Sequence, residues 1–182
     1  MAKHVCPWWL AYTFDNPLRR IFHKPEEIFA PYLQEGMTAV DLGCGMGYFS
    51  IGMAKLVGET GKIIAVDLQQ KMLDTLRKRA EKAGVANRIT TVLCNDNNIG
   101  THEAVDFALA FWMVHETPDA LRFLTQARAI LKPSGKFLLA EPKGHVTFSE
   151  FRKTLSIAQE FGFKLIDSPV ISLSHAAVFE KL

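Results

Sequence analysis

Cysteine is scarce in this sequence. Cys6, Cys44 and Cys94 are the only three in 182 residues, odd in number and widely scattered, which excludes a disulfide framework and matches the usage of a reducing compartment. Long apolar runs are missing as well. The longest, residues 107–114, falls far short of the roughly 20 residues that cross a bilayer, so no stable membrane insertion is expected. Nor is there an excess of one charge, since 21 Lys and Arg stand against 19 Asp and Glu for a net charge of +2. That balance lacks the strong field of a dedicated nucleic-acid binder, and a small-molecule substrate with no nucleic-acid partner is expected. Near the start, Pro7 and Asp15 interrupt any apolar stretch behind Lys3, so a secretory leader is not expected and the cytoplasm is the expected location. Internal repeats and low-complexity tracts are absent.

What is present is an ordinary globular mixture, 48% hydrophobic and 22% charged, at a length that suits one domain. Short apolar runs at residues 38–42, 62–66, 88–93, 105–111 and 136–140 read as buried strands. Between them lie helical patterns. In residues 69–83, Met72, Leu73, Leu76, Ala80 and Ala83 share one face, Lys71, Arg77, Lys78 and Lys82 the other, and Gly84 supplies the stop. A further helix is predicted from Thr117 as cap and Pro118 as first helical residue, through Leu121, Leu124, Ala127 and Leu131, ending before Pro133-Ser134-Gly135. Strands alternating with helices imply right-handed crossovers and a mostly parallel sheet, an α/β class. After a predicted helix at 147–160, residues 163–167 and 175–181 read as two strands without a helix between them, hence antiparallel.

The segment Val40-Asp41-Leu42-Gly43-Cys44-Gly45-Met46-Gly47 runs from the first strand into a G-x-G-x-G loop and a helix predicted over 48–57. Glycines allow a tight turn and close backbone approach, and the helix N-terminus offers N–H groups to an anion. A nicotinamide or flavin dinucleotide fits poorly, because Tyr48 stands where the third glycine of G-x-G-x-x-G belongs and Asp41 is an anion beside any pyrophosphate. S-adenosylmethionine has no phosphate and carries a sulfonium and an ammonium, so Asp41 favours it. Asp67, ending the second strand about 4.8 Å from the first, can accept two ribose hydroxyls, cap the following helix, or do both. Asn95 and Asp96 after the third strand can meet an adenine amine or serve as loop chemistry alone.

Taken jointly, the glycine segment, Val66-Asp67 with Met72-Leu73, Asn95-Asp96, residues 106–115 and Leu131-Lys132-Pro133-Ser134-Gly135-Lys136 resemble the class I S-adenosylmethionine-dependent methyltransferases, and within them the ubiquinone/menaquinone-methyltransferase-like group. The resemblance runs from about Glu35 to Glu141. It implies a Rossmann-like, doubly wound sheet of seven strands in order 3-2-1-4-5-7-6 with strand 7 antiparallel. It also implies a cofactor set of Asp41, Gly43, Gly45, Gly47, Asp67, Leu68, Asn95, Asp96 and Phe111. Two departures are Ser134, where a second glycine is usual, and a spacer from Asn98 to Asp106 too short for a helix.

Methyl transfer demands alignment first, and a general base where the nucleophile is a hydroxyl or acidic carbon. His115 and Glu141, after strands four and five, are the candidates, with structural roles as the alternative reading; no metal is expected. Residues 1–34 read as an aromatic-rich helical lid or extension, with Trp8, Trp9 and Tyr12 as candidate substrate contacts, and residues 35–182 as the S-adenosylmethionine-binding domain. A helix packed on the sheet is the plainer reading of that extension. After strand four the chain reads Ala110-Phe111-Trp112-Met113, without the Pro-Pro-aromatic signature of nucleic-acid amino-methyltransferases. The expected activity is transfer of a methyl group to a small, apolar or aromatic acceptor. A non-catalytic S-adenosylmethionine-binding module and, further off, a nicotinamide-dependent oxidoreductase are the alternatives.

Overall fold

The computed structural model describes residues 19–182. Trp8, Trp9 and Tyr12, proposed as substrate contacts, lie outside the described residues, as does Cys6. Two short helices, α1 (Arg19–Phe22) and α2 (Pro25–Phe29), precede a doubly wound sheet. Its elements are β1 (Thr38–Leu42), α3 (Tyr48–Leu56), β2 (Lys62–Asp67), α4 (Gln70–Lys82), β3 (Ile89–Leu93), β4 (Val105–Phe111), α5 (Ala120–Ile130), β5 (Leu131–Pro142), α6 (Phe148–Glu160), β6 (Phe163–Asp167) and β7 (Ser174–Lys181). The strand order is β3-β2-β1-β4-β5-β7-β6, and β7 runs antiparallel to both β5 and β6. This is the expected topology, hairpin included.

The pleat divides the apolar runs between two layers. Val40, Leu42, Ile64, Val66, Ala108 and Ala110 face the core under α5 and α6, while Ala39, Ile63, Ala65, Phe107 and Leu109 face α2, α3 and α4. Phe29 and Leu33 are buried in that second core, so residues before position 35 contribute to the packing of the sheet. Phe107 is fully buried among Phe29 and Tyr32.

Two boundaries differ from the sequence reading. Helix α5 starts at Ala120, and Asp119 is its cap, accepting from the Arg122 N–H. Thr117 is drawn away because its hydroxyl donates to the Val114 carbonyl and closes a 3-10 turn over Val114–Glu116. Leu131, expected in the helix, instead opens β5 and pairs with Val105, after which the register jumps to Phe107 opposite Lys136. The intervening turn holds Ser134 at φ 59°, a left-handed conformation. That is the backbone for which glycine is the cheap residue.

Between β3 and β4 the chain passes without an α-helix, as the short spacer implies. Ile99 is buried in the core there, and its N–H donates to Gln126 of α5. Among the described residues no helix is long and apolar enough to cross a membrane.

At the start of α3, Gly47 has φ 85° and its missing Cβ would lie 2.5 Å from Leu76 Cγ. Both the backbone and the contact between α3 and α4 therefore require glycine. Gly47→Ala is expected to lower unfolding free energy by about 2–4 kcal/mol, from left-handed strain plus overpacking. Urea titration with an unchanged m-value is the check, and a loss below about 0.5 kcal/mol, the ordinary scatter of surface substitutions, contradicts the packing described.

Candidate active site

The parallel strands all end on one edge, and β1 and β4 are neighbours whose outgoing connections turn to opposite faces of the sheet. A crevice is unavoidable at such a switch point. The cavity there has a volume of about 820 Å³, in the upper part of the roughly 300–1,000 Å³ span of small-molecule sites. One end is lined by Asp41, Gly43, Cys44, Gly45, Asp67 and Leu68. Asn95 and Asp96 join it from an exposed rim, and the other end is formed around Trp112, Met113, His115, His145 and Leu173.

Asp67 organises the first end. Its Oδ2 accepts the Gly45 N–H and its Oδ1 the Gln69 N–H, each at 2.9 Å. The side chain thus caps the approach to α4 and pins the glycine loop in one gesture. An ionised carboxylate has about four acceptor positions, so these two bonds leave acceptor capacity for a ligand. Burial pushes the Asp67 carboxyl above its ordinary range, against the pull of these N–H groups. Gly45, at φ 53°, has open space where a Cβ would stand, which keeps the loop clear on the cavity side.

Asp41 lies on the α3 side of β1, buried, and accepts from the Ser50 hydroxyl. Desolvation raises its carboxyl from an ordinary value near 3.8 to about 6, although Ser50 and the Arg19 charge pull it down. Because the folded value exceeds the unfolded one, the stability this group contributes is present below about pH 4 and lost as pH rises through about 6. Asp41→Asn is therefore expected to stabilise the fold at pH 8 by about 1–3 kcal/mol, at about 1.36 kcal/mol per pH unit, and not at pH 4. Thermal melts at the two pH values check this, and equal effects at both contradict it. The same substitution is expected to weaken binding of a cationic ligand.

At the other end, His115 and Glu141 form a pair across the tips of β4 and β5. Glu141 Oε1 accepts the His115 backbone N–H at 3.0 Å, and Oε2 lies 2.6 Å from His115 Nδ1. A carboxylate at Nδ1 calls for a proton on that nitrogen and turns Nε2 to the other side of the ring, where the Glu116 carboxylate lies 3.9 Å away. The His115 side chain is 23% exposed and lines the cavity, whereas the Glu141 side chain is 3% exposed and does not. Among the described residues no group of three or more His, Cys, Asp or Glu side chains is placed to hold a metal ion.

A family model described as a methyltransferase domain matches residues 33–166. The chain belongs to the class I S-adenosylmethionine-dependent methyltransferases. Its curated relatives include demethylmenaquinone methyltransferases from Lactobacillus johnsonii, 31% identical over 128 residues, covering 70% of this chain and 50% of that protein, and from Oceanobacillus iheyensis, 29% identical over 110 residues, covering 60% and 46%. The chain thus spans about half the length of these relatives. Among solved structures, a SAM-dependent methyltransferase from Aquifex aeolicus superimposes with a TM-score of 0.87 at 23% identity, covering 98% of this chain and all of that one. That likeness concerns the fold.

The residues of this methyltransferase suit its cofactor, S-adenosylmethionine. Asp67 would offer its remaining acceptor positions to ribose hydroxyls, and Asp41 would place a negative charge near the cofactor's cationic groups. Asp41, Gly43, Gly45, Asp67, Leu68, Asn95, Asp96 and Phe111 are all brought to the cavity wall. Gly47 is not; it serves the α3–α4 contact instead. Glu141 likewise stands behind His115 rather than in the cavity. Sequence reasoning missed Arg19, Cys94, Asn98 and Met113 as lining residues. Cys94 and Asn98 after β3 and Met113 after β4 carried a positional signal, and Arg19 did not.

Proposed function

We propose that this methyltransferase acts on a small, apolar or aromatic acceptor through an oxygen or acidified carbon nucleophile, with His115 as the general base. The observation that carries this is the far end of the cavity, where an apolar wall of Phe111, Trp112, Met113 and Leu173 meets the imidazole of His115. Bound S-adenosylmethionine supplies a sulfonium-activated methyl group, and alignment of nucleophile, methyl carbon and sulfur is worth about 7–11 kcal/mol.

The residues of this chain supply the rest. Asp67 and the glycine loop fix the nucleoside end. Trp112, Met113 and Leu173 exclude water and hold an acceptor against an apolar wall. His115 Nε2 takes the acceptor's proton, and Glu141, acting through Nδ1, keeps the ring oriented and stabilises the imidazolium that forms. The relatives named for demethylmenaquinone support an acceptor of this class. Residues Cys44 and Cys94 are free thiols, in keeping with a cytoplasmic, reducing setting.

The test is incubation with methyl-labelled S-adenosylmethionine and either a panel of hydroxylated aromatics or total cellular RNA and protein. Label in an organic-extractable small product is expected. Label confined to RNA or protein overturns the acceptor assignment.

A further inference from the structure

Backbone strain is concentrated at one end of the cavity. Among the described residues, three that are not glycine hold a left-handed backbone: Trp112 at φ 61°, Ser134 at φ 59° and Leu173 at φ 58°. Ser134 serves the turn within β5. Trp112 and Leu173 both line the cavity, at its acceptor end. A residue with a Cβ is disfavoured in this conformation, which persists only where surrounding contacts over-determine it, commonly at ligand sites.

The contacts that do so here form a chain of hydrogen bonds. The Trp112 backbone N–H donates to the Ala140 carbonyl at 2.8 Å, and its indole Nε1–H donates to the Ser174 hydroxyl at 2.9 Å. The Ser174 hydroxyl in turn donates to the Ser172 carbonyl at 3.1 Å, and that carbonyl also accepts from His23 Nε2 at 2.8 Å. A carbonyl oxygen has two lone pairs, so this one is fully used. The His23 ring packs edge-on against the indole, with 5.1 Å between centroids and 87° between planes. Leu173 is fixed from the β5 side, its carbonyl accepting from the Lys143 N–H at 2.9 Å. Ser174 and His23 are buried, and neither lines the cavity. An indole has a single donor and no acceptor, so one bond decides where its edge points, and burial strengthens that bond.

Resting on the acceptor assignment above, we infer that Ser174 is a positioning residue: its bond to Trp112 Nε1 holds the indole as a rigid wall, and that wall selects flat aromatic acceptors over puckered ones of the same size. The selection follows from shape. A planar acceptor can lie along a fixed ring plane, whereas a saturated ring meets it only at its outermost hydrogens and forfeits much of the contact. A ring free to turn would adapt to either.

The experiment is calorimetric titration of the full chain, saturated with S-adenosylhomocysteine, using 2-naphthol and decahydro-2-naphthol. The two probes share a carbon skeleton and a hydroxyl and differ in flatness. The unmodified protein is expected to bind the planar compound about two- to tenfold more tightly, the span of aromatic contact beyond simple burial. Ser174→Ala is expected to remove most of that preference while leaving S-adenosylhomocysteine affinity in place, which a general loss of fold would not do. Trp112→Phe breaks the same bond from the ring side, and the double variant is expected to lose no more than either single one. Full preference in both single variants, additive losses in the double variant, or no preference in the unmodified protein overturns the inference and leaves an apolar acceptor site standing. If the unmodified protein binds neither compound, this end of the cavity is not a site for aromatic acceptors, and Ser174 has no such role.

Discussion

Asp67→Ala is expected to weaken S-adenosylhomocysteine binding about a hundredfold, because two hydrogen bonds from ribose hydroxyls to a charged acceptor are each worth at least about 1.5 kcal/mol. A second loss compounds the first. The Gly45 and Gln69 N–H groups both rest on this carboxylate, so the loop that shapes the site loses its pin. Methylthioadenosine, which shares the ribose, should lose affinity in parallel. Affinity within a few-fold of the unmodified protein for both ligands places the ribose elsewhere.

His115→Ala is expected to lower kcat by about 10²–10⁴-fold, the usual contribution of a positioned general base, with S-adenosylhomocysteine affinity little changed. Glu141→Gln should reduce kcat by less and alter the pH profile, since the amide still accepts from the His115 backbone N–H but no longer stabilises an imidazolium through Nδ1. Because Glu141 is buried at the sheet tip, thermal melts accompany both variants. Partial recovery of the His115→Ala rate by added imidazole is the signature of a missing base. A fall in melting temperature with unchanged kcat identifies the pair as structural.

The sheet was legible because its strands are short apolar runs bounded by glycine and helix signals, and because parallel strands buried on both faces need no alternation to be recognised. The glycine loop and Asp67 were legible for a related reason: their position is set by where β1 and β2 end, which the runs themselves mark. What escaped was decided by tertiary contact. Gly47 looks like its neighbours in sequence, yet Leu76, 29 positions away in the numbering of the chain, gives it a packing role. Thr117 and Asp119 are equivalent cap signals until Thr117 is taken by the Val114 carbonyl. Glu141 lies at the tip of β5 and His115 in the 3-10 turn after β4, and the sequence does not mark which of them faces the cavity. Arg19 lacks any local signal, since its place depends on the rings of Tyr48 and Phe49 in α3 and of Phe111 and Trp112 at the end of β4.

The most direct measurement is a crystal structure with S-adenosylhomocysteine bound. The ribose hydroxyls are expected on Asp67 and the sulfur facing the space before His115. Density for the nucleoside outside this cavity, or seated in it with the ribose turned away from Asp67, contradicts the account.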